Sequence, residues 1–266
     1  MNTNTTIMFY NGETGAAGTG RLSGGHWTQH DTVTSIPAGY THAAAGRDTL
    51  IFYEKGTGAW ESGTLTDGFY TRRESGDGFS DSWSHVEATA DTVLFYDEKT
   101  GHAASGRLTG GVYREVRGYD DFRVGWAGIA GSADTMAFAK NVGHGDLPNY
   151  ILAFGSLTDG TYSHRGEVDG VVGIELTATT DSLLLRVPSP STDTYQIAKM
   201  IGGTIGPVHD NGTSGHWDRI GRTADSLFFY KNDGTAWIST LSGGSYANVG
   251  ALPGVSSDWS IVEGGV

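Results

Sequence analysis

The chain of 266 residues contains no cysteine, and basic residues are scarce, with 17 lysines and arginines against 30 acidic residues. The absence of cysteine excludes disulfide bonds and thiolate metal sites within this sequence. The formal charge is −13 and no basic cluster is longer than Arg72-Arg73. Nucleic acid is therefore disfavoured as a partner, because binding to phosphates requires a positive surface.

Long hydrophobic runs are also missing. No segment approaches the roughly 20 apolar residues of a membrane helix, and Met1 to Thr6 is too short and too polar for a signal peptide. We therefore expect a soluble chain with no membrane partner, either cytoplasmic or secreted without a leader. Composition does not choose between these compartments, and it does not indicate an oligomeric state.

What the sequence does contain is a motif of an aspartate followed by an apolar run that ends in Phe-Tyr. The copies are clear at 48–53, 91–96 and 225–230, and weaker at 5–10, 134–139 and 181–186. The penultimate residues are Phe9, Phe52, Phe95, Phe138, Leu185 and Phe229, so the steps are 43, 43, 43, 47 and 44 residues. A period in this range indicates one supersecondary unit that is stacked repeatedly.

A second motif follows in each unit, Leu-[Ser/Thr]-[Asp/Gly]-Gly-x-[Tyr/Trp], and it predicts a tight hairpin. We expect the glycine at the fourth position of this motif to have positive φ, at Gly25, Gly68, Gly111, Gly160 and Gly244. Upstream of each aspartate we expect another strand that carries a Trp, as at Trp83, Trp126 and Trp217. Each unit then has four antiparallel strands, which is typical of a propeller blade.

The repeats predict an all-β, six-bladed β-propeller with almost no helix, formed by residues 1–266 as a single domain. The units run at about 5–47, 48–90, 91–133, 134–180, 181–224 and 225–266. The chain begins with a Phe-Tyr strand and ends with an unpaired strand, Trp259 to Val262. We expect this last strand to complete the first blade, with Trp259 in the same sheet as Phe9, because closure removes an exposed sheet edge.

The combination of Trp-x-x-[Ile/Val], Asp-x-[Leu/Val]-x-Phe-Tyr and Thr-Gly, as in Glu98 to Gly101, resembles the repeats of bacterial propeller lectins of the Photorhabdus fucose-binding type. It is more loosely similar to tectonin and fungal fucose-lectin repeats. The likeness runs along essentially the whole chain. It implies a ring with shallow sugar pockets between neighbouring blades, lined by aromatic and polar side chains.

Blades four and five depart from the pattern. In place of the Tyr-turn-Thr-Gly loop they contain the segments 139–149 and 186–193. This asymmetry favours one special site over six equal ones.

The innermost strands carry the polar residues that we single out as candidate ligand-binding residues. Side chains two apart share a strand face, so groups from several blades are expected to converge near the channel mouth: His42, His85, Glu87, Glu175, Arg219 and Glu263. The alternative is a solvated polar lining without chemistry. Only His85 and Glu87 are close in sequence, so no metal site is expected, and no motif indicates a cofactor.

Trp60 and Trp237 lie in the strand after the turn, where other repeats have no Trp. They are candidates for stacking on a sugar, and the alternative is ordinary packing between blades.

The leading hypothesis is non-covalent recognition of a small neutral ligand, most readily a carbohydrate. The first alternative is an enzyme with one asymmetric active site at the channel mouth, catalysing a cyclisation or isomerisation with His42, His85, Glu87, Glu175 and Arg219. The second is a protein-interaction scaffold. Propellers host all of these classes, so the fold does not choose among them.

Overall fold

A computed structural model describes residues 5–33, 36–143, 150–171 and 173–266. These residues form 25 β-strands and no helix. The first three blades contain β1 (Thr6–Tyr10), β2 (Ala17–Ser23) and β3 (His26–Val33); β4 (His42–Ala45), β5 (Thr49–Tyr53), β6 (Trp60–Thr66) and β7 (Phe69–Gly76); and β8 (His85–Ala88), β9 (Thr92–Tyr96), β10 (Ala103–Thr109) and β11 (Val112–Tyr119).

The last three blades contain β12 (Gly128–Gly131), β13 (Thr135–Asn141), β14 (Tyr150–Thr158) and β15 (Thr161–Val171); β16 (Glu175–Ala178), β17 (Ser182–Val187), β18 (Thr192–Ile201), β19 (Thr204–Ile205) and β20 (His209–Gly215); and β21 (Arg219–Arg222), β22 (Ser226–Tyr230), β23 (Ala236–Ser242) and β24 (Ser245–Leu252). The final strand, β25 (Ile261–Gly264), returns to the first blade.

The strands form six antiparallel sheets, and the innermost strands of neighbouring blades contact one another around a channel. This confirms the six-bladed β-propeller. The first sheet has the order β25-β1-β2-β3, with Phe9 opposite Val262. The chain ends therefore meet in one blade, which we call the seam blade. In the fifth blade the outer strand β20 pairs with β18, beside the short hairpin of β18 and β19. Part of the aberrant fourth-blade loop, 144–149, lies outside the described residues.

The predicted Trp strand is wrong in one respect. Trp259 precedes β25 and packs against Phe9, with ring centroids 5.9 Å apart. Trp83, Trp126 and Trp217 likewise precede the inner strands. At Trp126 and Trp259 a tyrosine of the preceding blade binds the backbone N–H of the Trp, and the inner strand begins only after it. The backbone N–H of Trp126 donates to the Tyr96 hydroxyl at 3.3 Å, and that of Trp259 to the Tyr230 hydroxyl at 3.2 Å.

The tyrosine that ends the Phe-Tyr motif thus joins consecutive blades. In four blades its hydroxyl also donates to a backbone carbonyl in the connection to the next blade. The pairs are Tyr10 with Pro37, Tyr53 with Ser80, Tyr96 with Arg123 and Tyr230 with Ser256. These rings are wholly buried, so each hydroxyl must find a partner inside the protein.

The aspartate that opens each repeat binds the hairpin of the next blade. The Asp48 carboxylate accepts from the Gly110 N–H at 3.1 and 3.2 Å, and the Thr49 hydroxyl accepts from the Gly111 N–H at 2.8 Å. The same contacts join Asp91 and Thr92 to 159–160, Asp134 and Thr135 to 202–203, Asp181 and Ser182 to 243–244, and Asp225 and Ser226 to 24–25. At the sixth junction, Thr6 alone accepts from the Gly68 N–H at 3.0 Å.

The hairpin glycines have positive φ, as predicted: 75° at Gly25, 89° at Gly68, 84° at Gly111, 78° at Gly160 and 74° at Gly244. A second reason for glycine was not visible in the sequence. A side chain of the preceding blade lies where a Cβ would stand, for example Val249 at Gly25 and Val116 at Gly160.

Replacing the bridging aspartate tests how much each junction contributes. We expect Asp48→Ala to lower the free energy of unfolding by about 1 to 3 kcal/mol, because hydrogen bonds to an ionised group are lost and the Gly110 N–H loses its partner. Chemical denaturation measures this. Asp120→Ala is the matched control, since that side chain is 96% exposed. Equal effects of the two substitutions would contradict the role assigned to Asp48.

Candidate functional site

The channel mouth holds part of the predicted residue set. A cavity of about 350 Å³ opens there, and its wall includes His85, Glu175 and Arg219 from three different blades. Arg186 and Asp218 line it as well. Convergence at the mouth is therefore seen for these three candidates.

His42 is not among the residues that line this cavity. Its Nε2 lies 3.1 Å from the Ser84 carbonyl oxygen and its Nδ1 lies 2.8 Å from the Thr41 hydroxyl. His85 Nε2 is 3.5 Å from Glu98 Oε2. Burial lowers the pKa of both histidines. Burial thus favours the neutral form of both side chains.

The charges at the mouth are largely paired with the ring itself. Glu175 Oε2 accepts from Arg186 NH1 at 2.9 Å. Arg219 donates from Nε to the Ser260 carbonyl at 3.0 Å and from NH1 to the Asp218 carbonyl at 2.8 Å. The Glu175 contact lies within the fifth blade, whereas Arg219 joins the sixth blade to the segment that enters the seam blade. Both groups therefore have part of their hydrogen-bonding capacity already in use.

Deeper in the channel, Glu87 and Glu263 meet Arg222, a residue that sequence reasoning missed. The Arg222 guanidinium is 2% exposed and donates to the carbonyls of Gly131, Ala178 and Ala88, the last two at 3.1 and 3.2 Å. Its Nε donates to Glu263 at 3.1 Å, and its NH2 lies 3.7 Å from Glu87. A signal existed, because the same strand position holds only Ala or Gly in the other blades: Ala45, Ala88, Gly131, Ala178 and Gly264.

Two carboxylates thus share one guanidinium. Burial raises the pKa of Glu87 to about 8 and also raises the pKa of Glu263. The Glu87 side chain is 30% exposed, and its carboxylate lies 3.7 Å from the Arg222 guanidinium. Burial therefore favours a proton on this pair of carboxylates, which face the single positive charge of Arg222.

Blade five owes its aberrant sequence to another buried charge pair. Arg186 stands where other blades have the bridging tyrosine, and its guanidinium donates to the Trp217 carbonyl. Asp193, fully buried, accepts from Arg186 Nε at 2.8 Å and from the Trp217 N–H at 3.1 Å, and the His216 Nδ1 lies 3.2 Å away. The pair replaces the tyrosine hydroxyl as the contact to the following blade.

Three of the clefts away from the channel each lie between a blade and the connection that enters it, and we call these three the open clefts. A fourth cleft, of about 410 Å³, is lined by residues 168–171, Gln196 and residues 205–208, and its lining includes no aromatic residue. The seam cleft, beside β1 to β3, has a volume of about 90 Å³ and is lined by Phe9, Gly18, Thr19, Trp27, Gln29, Trp259 and residues 253–256. The second-blade cleft has about 390 Å³ and is lined by residues 37–38, Tyr40, Glu54, residues 59–60, Arg72 and residues 75–77. The fourth-blade cleft has about 310 Å³ and is lined by Arg117, Tyr119, residues 121–123, Trp126, Phe138, Ala153, Tyr162, His164 and Glu167.

The three clefts are built from equivalent positions. Each includes the aromatic residue of the connection, Trp259, Tyr40 or Trp126. Each also includes a polar residue of the outer strand that pairs with a glycine next to a bulge: Gln29 with Gly20, Arg72 with Gly63 and His164 with Gly155. The glycine leaves room for the neighbouring aromatic ring, which would collide with a Cβ.

The two remaining candidates, Trp60 and Trp237, lie on opposite faces of their strands. Trp60 pairs with Tyr53 and stacks on Phe79, with ring centroids 4.9 Å apart, while it also lines the second-blade cleft. Trp237 pairs with Phe229, the position that Gly18 and Ala153 occupy in the open clefts. Its indole is half-buried in the packing between blades five and six. Whether either ring contacts a ligand stays a prediction.

The described ranges contain no group of three or more His, Asp or Glu side chains arranged to hold a metal ion. They also contain no helix that could cross a membrane.

Comparison with known proteins supports the architecture. No protein-family model matches the chain, and no curated protein matches its sequence. Among solved structures, a chain of the nidogen–laminin complex is similar, with a TM-score of 0.59 at 10% identity over 98% of each chain. A 6-phosphogluconolactonase-like protein from Bacteroides uniformis has a TM-score of 0.57 at 11% identity, over 99% of this chain and all of its own.

A second such protein, from Bacteroides fragilis, has a TM-score of 0.56 at 8% identity, over 99% of this chain and 98% of its own. At these identities the likeness establishes the fold alone. The resemblance to lectins finds no counterpart in these matches.

The shared guanidinium predicts a stability that depends on pH. The folded-state pKa of Glu87, about 8, lies above the ordinary value of 4.5, so the folded chain retains a proton that the unfolded chain releases. This contribution to stability is present below pH 4.5 and is lost as pH rises through about 8. Glu87→Gln does not titrate, so its Tm should rise relative to the wild type between pH 5 and pH 9. Parallel Tm curves would refute this, and the exposed Glu13→Gln serves as control.

Proposed function

We propose that the protein binds carbohydrate non-covalently in the open clefts between its blades. A pyranose has an apolar C–H face and a rim of hydroxyl groups, so it requires a flat aromatic surface beside polar side chains. Each open cleft offers this pair of surfaces, for example Trp259 with Gln29 and Trp126 with His164.

The proposal rests on one observation: two other blades fill the equivalent space with side chains, and the ring still closes. In the third blade, Phe79 packs on Phe95 and Tyr113 at 5.0 and 5.2 Å, and Trp60 covers it. In the sixth blade Trp237 occupies the floor position. The same fold is therefore stable with a filled cleft, and the open clefts leave aromatic surface that packing could have covered.

The lining of the seam cleft indicates the charge of the ligand. Its side chains include Trp27, Trp259, Gln29 and Thr19, and none of its lining residues is ionisable. Burying a charged ligand group there would leave that charge without a partner, which is costly. A neutral sugar fits this cleft best.

The channel mouth is a weaker candidate for binding. Glu175 and Arg219 already bond to Arg186 and to backbone carbonyls of the ring. The structural neighbours include a lactonase-like enzyme and a chain of a protein complex, so they do not select one function.

Filling the clefts one at a time tests the proposal, and the chain itself supplies the design. Gly18→Trp fills the seam cleft and Ala153→Trp fills the fourth-blade cleft. Each variant places a Trp at the position that Trp237 occupies in the sixth blade. Native mass spectrometry with L-fucose and other neutral hexoses should show several sugars bound per chain. Each filled variant should bind one sugar fewer than the wild type.

Glu175→Ala provides the opposing test. It removes a channel-mouth carboxylate that is 51% exposed and far from the filled positions in the ring. Sugar binding should persist in this variant. One ligand per chain that is lost in Glu175→Ala would refute binding in the clefts and favour a single site at the channel mouth.

A further inference from the structure

We infer that the residue two positions after the outer-strand aromatic selects the ligand of each open cleft. In the seam, second-blade and fourth-blade clefts this residue is Gln29, Arg72 and His164. The inference rests on the proposed function, because it assigns a chemical selectivity to the same clefts.

The register places these side chains at the same point of each blade. All three pair with a glycine at a β-bulge, and all three line their cleft beside the aromatic residue of the connection. The bulge directs the side chain toward the cleft. The fold therefore presents one variable polar group to three otherwise similar openings.

The three groups differ in what they can donate and accept. The Gln29 amide both donates and accepts, as a sugar hydroxyl does, whereas the Arg72 guanidinium only donates, and the His164 imidazole carries one donor and one acceptor when neutral. Each cleft therefore requires a different complement on its ligand.

Arg72 shows that such a group is held in place. Its Nε lies 3.1 Å from Glu61 Oε2, and its NH2 donates to the Ser75 hydroxyl at 2.7 Å. Glu61 is fully buried and also accepts from the Tyr70 hydroxyl at 2.8 Å, and burial raises its pKa. The guanidinium remains 45% exposed.

Glu61 is not needed for packing. The equivalent floor position, opposite the penultimate residue of the Phe-Tyr motif, is Gly18, Ala104 and Ala153 in three other blades. Burying a carboxylate costs several kcal/mol unless it is paired. We therefore assign Glu61 to positioning Arg72, with Arg72 as the group that meets the ligand.

The seam cleft allows the sharpest test, because none of its lining residues is ionisable. The wild type should bind neutral hexoses there and bind the matching uronic acids about tenfold more weakly, since no cation offsets the buried carboxylate. Gln29→Arg should remove or reverse this preference, because a guanidinium pairs with a carboxylate in a bidentate manner. Gln29→Leu should lose the neutral sugar.

The probes are glucose with glucuronic acid and galactose with galacturonic acid. Titrations followed by the indole N–H resonances of the labelled protein assign binding to a cleft, because Trp27 and Trp259 line the seam cleft, Trp60 the second-blade cleft and Trp126 the fourth-blade cleft. Thr28→Arg is the matched control, since it adds the same charge one residue away on the other face of β3.

Equal shifts in preference for Gln29→Arg and Thr28→Arg would overturn the inference, because a general charge effect would explain them. An unchanged preference in Gln29→Arg would also overturn it. If no sugar perturbs any indole resonance in the wild type, the proposed function itself fails. In the second-blade cleft, Arg72→Gln is combined with Glu61→Ala so that no buried carboxylate is left unpaired. This double variant should bind uronic acids there more weakly than the wild type, whereas the control Arg73→Gln should not. Unchanged uronic acid binding in the double variant would overturn the inference for this cleft.

Discussion

The structure depends on one repeated interaction. At five of the six junctions the hairpin of one blade donates hydrogen bonds to the aspartate and the threonine or serine that open the second strand of the preceding blade, and at the sixth it donates to Thr6. The N–H groups at a tight hairpin tip have no partner within their own sheet, and a carboxylate beside a hydroxyl accepts both of them, as Asp48 and Thr49 do. Because the contact always runs from one blade to the next, it fixes the order and spacing of the blades. The tyrosine hydroxyls add a second link at four junctions, for example Tyr96 to the Arg123 carbonyl at 2.8 Å.

The departure in blade five follows from this frame. Where the bridging tyrosine is absent in blade five, Arg186 and Asp193 make the contact to Trp217 instead. A buried ion pair carries a desolvation penalty that a tyrosine avoids, so this solution needs further hydrogen bonds, which Ser189 and His216 supply. The part of the sequence asymmetry that lies in blade five thus has a structural cause. Arg222 is a second buried charge, and its guanidinium bonds to carbonyls of three blades.

The contacts between blades join side chains such as Asp48 and Tyr96 to backbone groups of the next blade. The side chains that line the outer clefts can therefore vary. Gln29, Arg72 and His164 occupy one register position, yet they differ in charge and in hydrogen-bonding capacity. The floor position varies as well, from Gly18 to the buried Glu61 and the bulky Trp237. Each cleft can change its polar group without loss of the contacts that close the ring. The proposed recognition of several sugars by one chain depends on this independence.

The sequence by itself determined the number of blades, the hairpin glycines and the pairing of the first and last strands, because these follow from local periodicity and turn geometry. It also indicated that His85, Glu175 and Arg219 would meet, since inner strands share one channel. Other features arise only between blades: the partner of Asp48, the tyrosine bond that moves Trp126 outside its strand, and the guanidinium of Arg222. The open clefts belong to this second group, because an aromatic such as Trp60 lines or fills a cleft according to what the next blade places against it. Contacts between residues of different repeats leave no periodic signal in the sequence, because they form only when the ring closes.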